Sequence, residues 1–207
     1  MVEKTQTSGE TGKSGLDGLG QVAKLAGDAT KKMRGLPPVH LWHPPHCGEI
    51  GLKIARDGTW FHQNSPIGRP ALVKLFSTIL RRDPDRYVLV TPVEMIAIEV
   101  EDAPFMAVEL VVDESPAGRV LKFRTNVDDW VIADSAHPLS FEPGESGGLK
   151  PYFEVRAGLR ALVKRALFYD LVELGETRDI GGQLMYGVAS AGEFFVMAPA
   201  ADIEGLA

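Results

Sequence analysis

Three arginines lie where predicted elements begin or end, and they are suited to binding an anion. Arg69 precedes the first long predicted helix, Arg156 begins the second, and Arg124 ends a predicted strand. A guanidinium group binds phosphate or carboxylate through paired hydrogen bonds. Free N–H groups at the start of a helix attract the same ligands. The sequence therefore predicts an anion site that includes these three side chains.

Polar and aromatic residues near other element ends could complete such a site. Thr91 and Glu94 flank one predicted turn and Asn126 lies in another, so their side chains can offer hydrogen bonds. Trp60 or Phe105 offers a ring on which a flat ligand could stack. These five residues and the three arginines are the predicted ligand-binding set.

Two other groups of residues could support catalysis instead. Glu94 and Asp102, at strand ends, are candidates for an acid–base pair. His40, His43 and His46 could hold zinc for a metal-assisted hydrolase, although histidines in a proline-rich turn also suit an ordinary surface. No Ser–His–Asp set, nucleophile elbow or dinucleotide fingerprint accompanies either group. We predict no catalytic residue, metal site or cofactor, and the hydrolase remains an alternative.

The composition argues against several classes of partner. A formal net charge of −6 over 207 residues disfavours a general nucleic-acid or anionic-membrane surface. Cys47 is the only cysteine, so no internal disulfide can form, which suits a reducing compartment. No stretch approaches the roughly 20 consecutive apolar residues of a membrane span, and the first residues lack the apolar core of a signal peptide. We expect a cytoplasmic protein that binds neither nucleic acid nor membrane.

Hydrophobic periodicity divides the chain into two units with flanking segments. We expect a disordered tail at residues 1–14, a docking helix at 15–35 and a loose tail at 199–207. Between them lie an N-terminal unit at 36–114 and a C-terminal unit at 115–198. Both units are rich in alternating apolar residues, which predicts largely antiparallel sheets.

Each unit also contains one predicted long amphipathic helix. The first runs from about Pro70 to Arg82 and the second from about Val155 to Glu173. A basic stripe of Arg156, Arg160 and Lys164, with Arg165 beside it, follows the second helix and suits either an anion or a solvated face. The predicted fold class is α+β, with one long helix packed on the sheet of each unit.

The two units share an order of elements, which suggests a duplication. Each begins with a hairpin that carries an aspartate in its turn and a tryptophan after it, Asp57 with Trp60 and Asp128 with Trp130. Each continues with a helix and then two strands. A duplicated unit makes a seam, and ligands often bind at seams. We therefore expect the predicted ligand-binding set to meet between the units.

Short segments in both halves are distinctive in combination. They are residues 57–62, 66–69, 75–77, 89–94 and 100–105, then 123–126, 151–152, 155–159 and 168–172. Together they resemble an uncharacterised proteobacterial family of unknown function. The resemblance implies a duplicated α+β core, a C-terminal unit similar to a pleckstrin-homology fold, a nucleotide-like ligand between the units, and a role in signalling. Gly51 and Met95 depart from the family pattern, in which an acidic residue and a lysine are common.

The leading hypothesis is a module that binds an anionic, nucleotide-like small molecule in the seam. A further alternative is a protein-interaction module, whose seam is filled by its own side chains and whose exposed sheet edge binds a partner. A pocket between the units distinguishes these two hypotheses.

Overall fold

Alternating buried and exposed side chains mark many of the strands, and strands contain more of the described residues than helices do. The computed structural model describes residues 14–31, 35–116, 118–144 and 148–204. Helix α1 (Ser14–Thr30) and a 3-10 turn (Val39–Leu41) precede the first unit. That unit contains β1 (His46–Ile54), β2 (Trp60–His62), β3 (Ser65–Pro66), helix α2 (Pro70–Thr78), β4 (Leu80–Asp83), β5 (Arg86–Val90) and β6 (Met95–Val100).

The second unit also contains a six-stranded sheet. A helix and a small sheet follow that sheet in the chain. The six strands are β7 (Phe105–Ser115), β8 (Gly118–Thr125), β9 (Trp130–Ile132), β10 (Leu139–Pro143), β11 (Leu149–Arg156) and β12 (Leu159–Val163). Next come helix α3 (Arg165–Glu173), β13 (Glu176–Ile180), β14 (Gln183–Ser190), β15 (Glu193–Pro199) and helix α4 (Ala200–Glu204).

The two six-stranded sheets have the same topology. The strand order is β3-β2-β1-β6-β5-β4 in the first and β9-β8-β7-β12-β11-β10 in the second. In each sheet two antiparallel meanders join through a parallel central pair, β1 with β6 and β7 with β12. The repeat predicted from the sequence matched the β1–β2 hairpin with β8–β9. The observed repeat is shifted by one strand, so β1 corresponds to β7.

The second sheet curls until its two meanders face each other. Phe123 on β8 and Phe153 on β11 are three inter-strand spacings apart, which is roughly 14 Å in a flat sheet. Their rings instead stack with centroids 4.8 Å apart. Both side chains are fully buried, within one apolar core that continues into the first unit. The second sheet is therefore a half-barrel closed around aromatic side chains.

The third sheet packs against the second sheet, helix α4 packs on the third sheet, and helix α1 packs on the first unit. The Ser190 hydroxyl of β14 donates to the carbonyl of Ala133 at 2.6 Å and accepts the Leu121 N–H at 2.9 Å. Helix α1 begins one residue before the predicted docking helix of residues 15–35, and it packs on α2 and β1, with Val22 and Ala26 buried. Among the described residues, no helix combines the length and apolar character that a membrane crossing requires.

Both predicted long helices are shorter than expected. The first ends at Thr78, and Leu80 begins β4, whose partner is β5. Leu80 is buried in the strand, so its apolar character suits either structure. Because no glycine or proline separates helix from strand here, the helical pattern continued too far in the prediction.

The second predicted helix, Val155–Glu173, is wrong in its first half. Ala157 and Gly158 have positive φ angles of 44° and 78°, and they form the turn of the β11–β12 hairpin. Only Arg165–Glu173 is helical. The predicted basic stripe therefore does not exist as one helix face.

The chain passes from the first sheet to the second between Val100 and Phe105, whereas the sequence analysis ends its first unit at residue 114. The predicted C-terminal tail contains helix α4. The predicted disordered tail lies, except for Ser14, outside the described residues.

Candidate functional site

A turn of the second unit, residues 126–129, contacts the first unit. The Asn126 side chain accepts the Met106 N–H at 3.0 Å and donates to the Gly58 carbonyl at 3.4 Å. Gly58 has a φ of 81°, and a Cβ atom there would lie 2.6 Å from Cγ of Met106. The Asp57–Gly58 turn therefore requires glycine both for its backbone conformation and for its close approach to the second unit.

Arg124, a predicted ligand-binding residue, binds carboxylates of the protein at this turn. It lies 2.6 Å from Glu109 and 3.1 Å from Asp128. The hydrogen bond that Arg124 donates to Glu109 raises the pKa of Arg124 above its ordinary value. Lys74 on α2, 3.3 Å from Asp128, acts with Arg124 to hold the pKa of that carboxyl below its ordinary value. An anion that used Arg124 would have to displace these internal partners.

Arg156, at the end of β11, connects the second unit to α2. Its guanidinium donates to Asp129 at 2.6 Å and to the carbonyl of Ser77 at 2.8 Å. It also lies over the buried ring of Phe105, 4.9 Å from the centroid. The prediction that Arg156 begins a helix is wrong, because Arg156 is the last residue of strand β11. Arg124, Asn126, Arg156 and Phe105 thus come together, in contacts that are internal to the protein.

The other four predicted residues lie elsewhere in the first unit. Trp60 is 1% exposed and its ring packs against α2, which leaves no open stacking face. Thr91 accepts the Glu94 N–H at 3.1 Å, and Glu94 accepts a hydrogen bond from Gln21 of α1 at 3.4 Å. Arg69 is exposed at the start of α2. The structure does not bring these four residues to the 126–129 turn.

The residues considered for catalysis are also dispersed. Glu94 precedes β6 and Asp102 follows it, so six strand residues, or roughly 20 Å, separate them. That distance excludes an acid–base pair. His40, His43 and His46 belong to the described part of the chain, where no three His, Cys, Asp or Glu side chains are grouped to hold a metal ion. The arrangement that the hydrolase hypothesis needs is absent there.

A pocket of about 560 Å³ opens where the two units meet. Arg56, in the turn between β1 and β2, contributes from the first unit, and β11, β12 and the first turn of α3 contribute from the second. Its apolar and aromatic lining includes Met106, Leu149, Pro151, Leu162, Phe168 and Tyr169. Its cationic lining consists of Arg56, Lys150, Lys164 and Arg165. We call this cavity the junction pocket; its lining includes none of the predicted ligand-binding residues.

One carboxylate, Asp102, lies behind the cations of the junction pocket. It accepts hydrogen bonds from Nζ of Lys150 and, at 2.7 Å, from the hydroxyl of Tyr152. Burial raises the pKa of Asp102, but these two hydrogen bonds, together with the positive charges of Lys150 and Arg56, outweigh burial and leave the pKa below its ordinary value. The bond to Asp102 raises the pKa of Lys150 above its ordinary value. Both groups are therefore charged at neutral pH.

Lys164 and Arg165 have no carboxylate partner within the residues that the structure describes. Arg165 donates instead to the hydroxyl of Tyr169 at 2.9 Å. Lys164 is exposed at the N-terminal cap of α3, and no side chain caps this helix. The positive end of the helix and these two cations create a potential that favours an anion.

The sequence analysis singles out Lys164 and Arg165 as basic residues but predicts that they lie within a continuous helix. The overlooked signal is the alternation of Leu159, Ala161 and Val163, which are buried in β12 immediately before the basic pair. A strand that ends at Val163 places Lys164 and Arg165 at a strand-to-helix turn rather than along a solvated face.

A second groove, of about 730 Å³, crosses the first sheet over β1, β2 and β6. It is the larger of the two cavities, but its carboxylates, Glu49, Glu99 and Glu101, outnumber its cations, Lys53 and Arg86. Lys53 lies 3.4 Å from Glu99 and also pairs with Glu101. We therefore regard the junction pocket, whose cations exceed its carboxylates, as the candidate functional site.

Two sheets of equal topology, joined at a basic pocket, define a two-unit β-rich protein. Two family models match its two parts. The model described as "Domain of unknown function (DUF1285), N-terminal domain" matches residues 37–103. The model described as "Protein of unknown function (DUF1285), C-terminal domain" matches residues 104–197. The chain belongs to the DUF1285 family, and the resemblance seen in its sequence is confirmed.

Two solved structures are similar to this chain. A DUF1285 family protein from Silicibacter pomeroyi DSS-3 is 45% identical, with a TM-score of 0.80 over 90% of this chain and 98% of that one. A DUF1285 family protein from Shewanella baltica OS155 is 25% identical, with a TM-score of 0.48 over 59% of this chain and 91% of that one. No curated protein matches the chain.

Proposed function

We propose that this protein is a non-catalytic module that binds an anionic, nucleotide-like small molecule in the junction pocket. The observation that carries the proposal is the convergence there of four cations, of which Lys164 and Arg165 have no carboxylate partner in the described residues. This location replaces the 126–129 turn as the proposed anion site, because the arginines at that turn already bind internal carboxylates.

The two halves of the pocket suit the two halves of such a ligand. Phe168 and Tyr169 provide rings, and Leu162 with Pro151 provides an apolar wall, next to the cationic edge. Ligand sites commonly combine a mostly apolar cavity with a few convergent polar groups. A phosphate beside Lys164 would also lie at the positive end of α3.

A role in signalling belongs to the same proposal. The pocket takes Arg56 from one unit and its other cations from the second, so a ligand that touches both would link the units. The interpretation of the second unit as similar to a pleckstrin-homology fold is retained here because its sheet is strongly curled. Ligand binding could then be read out by a protein partner through the relative position of the units.

Thermal denaturation in the presence of nucleotides and phosphorylated metabolites tests the proposal. A ligand at 100 times its dissociation constant stabilises the native state by about 2.7 kcal/mol. We expect Lys164→Gln to weaken binding about tenfold, because it removes the charge and keeps a polar side chain that is only one atom shorter. The matched control is Lys31→Gln, an exposed lysine on another part of the surface, which should bind as wild type does. A screen without a stabilising anion contradicts the proposal.

A second candidate function is the protein-interaction module, which the edge of the second sheet favours. Trp130 and Ile132 on edge strand β9 are 52% and 39% exposed. An extended peptide could add to this edge and use Trp130 as its anchor. Selection from a random peptide library, followed by Trp130→Ala, tests this function. It is contradicted if selected peptides bind the variant and the wild type equally.

A further inference from the structure

Glu101 and Asp102 lie in the segment that joins the two units, and each accepts hydrogen bonds from residues that line a different side of the junction pocket or lie beside it. Glu101 accepts the backbone N–H of Arg56 at 2.9 Å, which fixes the first-unit side. Asp102 accepts from Lys150 and Tyr152, which fixes the second-unit side. The Asp102 side chain is 11% exposed and is not part of the pocket lining, so it acts on a ligand through Lys150 and through its own charge.

We infer that Asp102 is a charge filter for the junction pocket: it lowers the affinity for anions, and lowers it more for ligands that carry more negative charges. This inference rests on the proposed function. Lys150 has three N–H donors, and one of them is committed to Asp102. A ligand anion near Lys150 therefore meets a cation whose charge is partly balanced, with a fixed negative charge directly behind it.

The dependence on ligand charge follows from electrostatics. The repulsion between Asp102 and a ligand is proportional to the charge of the ligand, at a given position. A monoanion loses little affinity to this repulsion, whereas a ligand with three or four charges loses more. Asp102 thus sets the preference of the pocket between monophosphates and polyphosphates, in addition to anchoring Lys150.

Asp102→Asn tests the filter, because asparagine retains the shape and can still accept from Tyr152. The measurement is the dissociation constant of adenosine mono-, di- and triphosphate, by isothermal titration calorimetry at fixed ionic strength. We expect the variant to bind the monophosphate about threefold more tightly and the triphosphate at least tenfold more tightly. Tyr152→Phe, which leaves both charges in place, should change each constant by less than threefold.

A double variant shows whether Asp102 acts through Lys150. In the Lys150→Gln background we expect Asp102→Asn to have a smaller effect that still increases with ligand charge, because no Lys150 donor is left to release but the direct repulsion remains. Urea denaturation of every variant confirms that each one is folded. If folded Asp102→Asn binds all three nucleotides with wild-type affinity, or tightens all three equally, the filter is overturned while the proposed function stands. If neither the wild type nor any variant binds a nucleotide, the proposed function and the filter both fall.

Discussion

At the scale of single residues, we expect the protein to lose stability when a residue at the contact between the units is enlarged or loses its charge. Gly58 shows this most directly. Its positive φ angle and its contact with Met106 and Asn126 make two separate demands on one residue. The first demand concerns the backbone alone, and the second concerns the fit between the two units.

Gly58→Ala should lower the free energy of unfolding by about 1–3 kcal/mol, since strain and overlap both contribute. Gly192→Ala is the matched control, because Gly192 has a similar φ of 86° but open space around its Cβ position. Urea denaturation of both variants separates the two demands. Equal losses would show that the contact with the second unit contributes nothing.

The residue scale also explains why the candidate site could not be predicted. Its cations come from Arg56 and from residues 150–165, and no local spacing connects positions so distant in the chain. Arg124 and Arg156 contact carboxylates and a carbonyl of the protein itself. The carboxylates that bind them, Glu109 and Asp129, have no pattern that reveals the pairing before the fold is known.

At the scale of elements, the sequence predicts helix or strand well where its apolar residues fit only one of the two periods, about 3.6 residues for a helix or two for a strand. The alternation of Ile96, Ile98 and Val100 is typical of a strand, because those residues share one face at a period of two, and they lie in β6. Between Leu159 and Leu171 the apolar residues fit both periods. The helical period predicts a helix from Val155, whereas in the structure the tight turn at Ala157–Gly158 separates β11 from β12.

Arg156 contacts the 126–129 turn, helix α2 and strand β7. Replacing it should therefore lower the stability of the protein and leave its ligand affinity nearly unchanged. Arg156→Ala leaves Asp129 and the Ser77 carbonyl without their donor and removes the contact with Phe105. We expect a cost on the order of 1–3 kcal/mol in the free energy of unfolding. Nucleotide affinity, measured by calorimetry on the folded variant, should remain within about threefold of wild type. A large loss of affinity with unchanged stability would return the ligand to the 126–129 turn.

At the scale of the whole molecule, Asp102, in the segment that joins the two units, makes the free energy of unfolding depend on pH. The folded pKa of Asp102 lies below its ordinary value, so the unfolded state binds a proton more readily. This contribution is fully present above the unfolded pKa of about 3.9 and is lost as pH falls through the folded pKa. Wild-type stability should therefore decline from about pH 5 downward. The decline should be shallower for Asp102→Asn and intermediate for Tyr152→Phe, as measured by urea denaturation at a series of pH values.

The shared strand order has a consequence for how the chain is made. In each sheet the first strand pairs with the last, β1 with β6 and β7 with β12. Meanders form from short loops, but each central pair must close a long one, which costs more entropy and is slow. During synthesis, neither unit can complete its sheet until its sixth strand has left the ribosome. A nascent chain that pauses after β5 therefore presents two unpaired inner strand edges, and at that length we expect the greatest need for a chaperone.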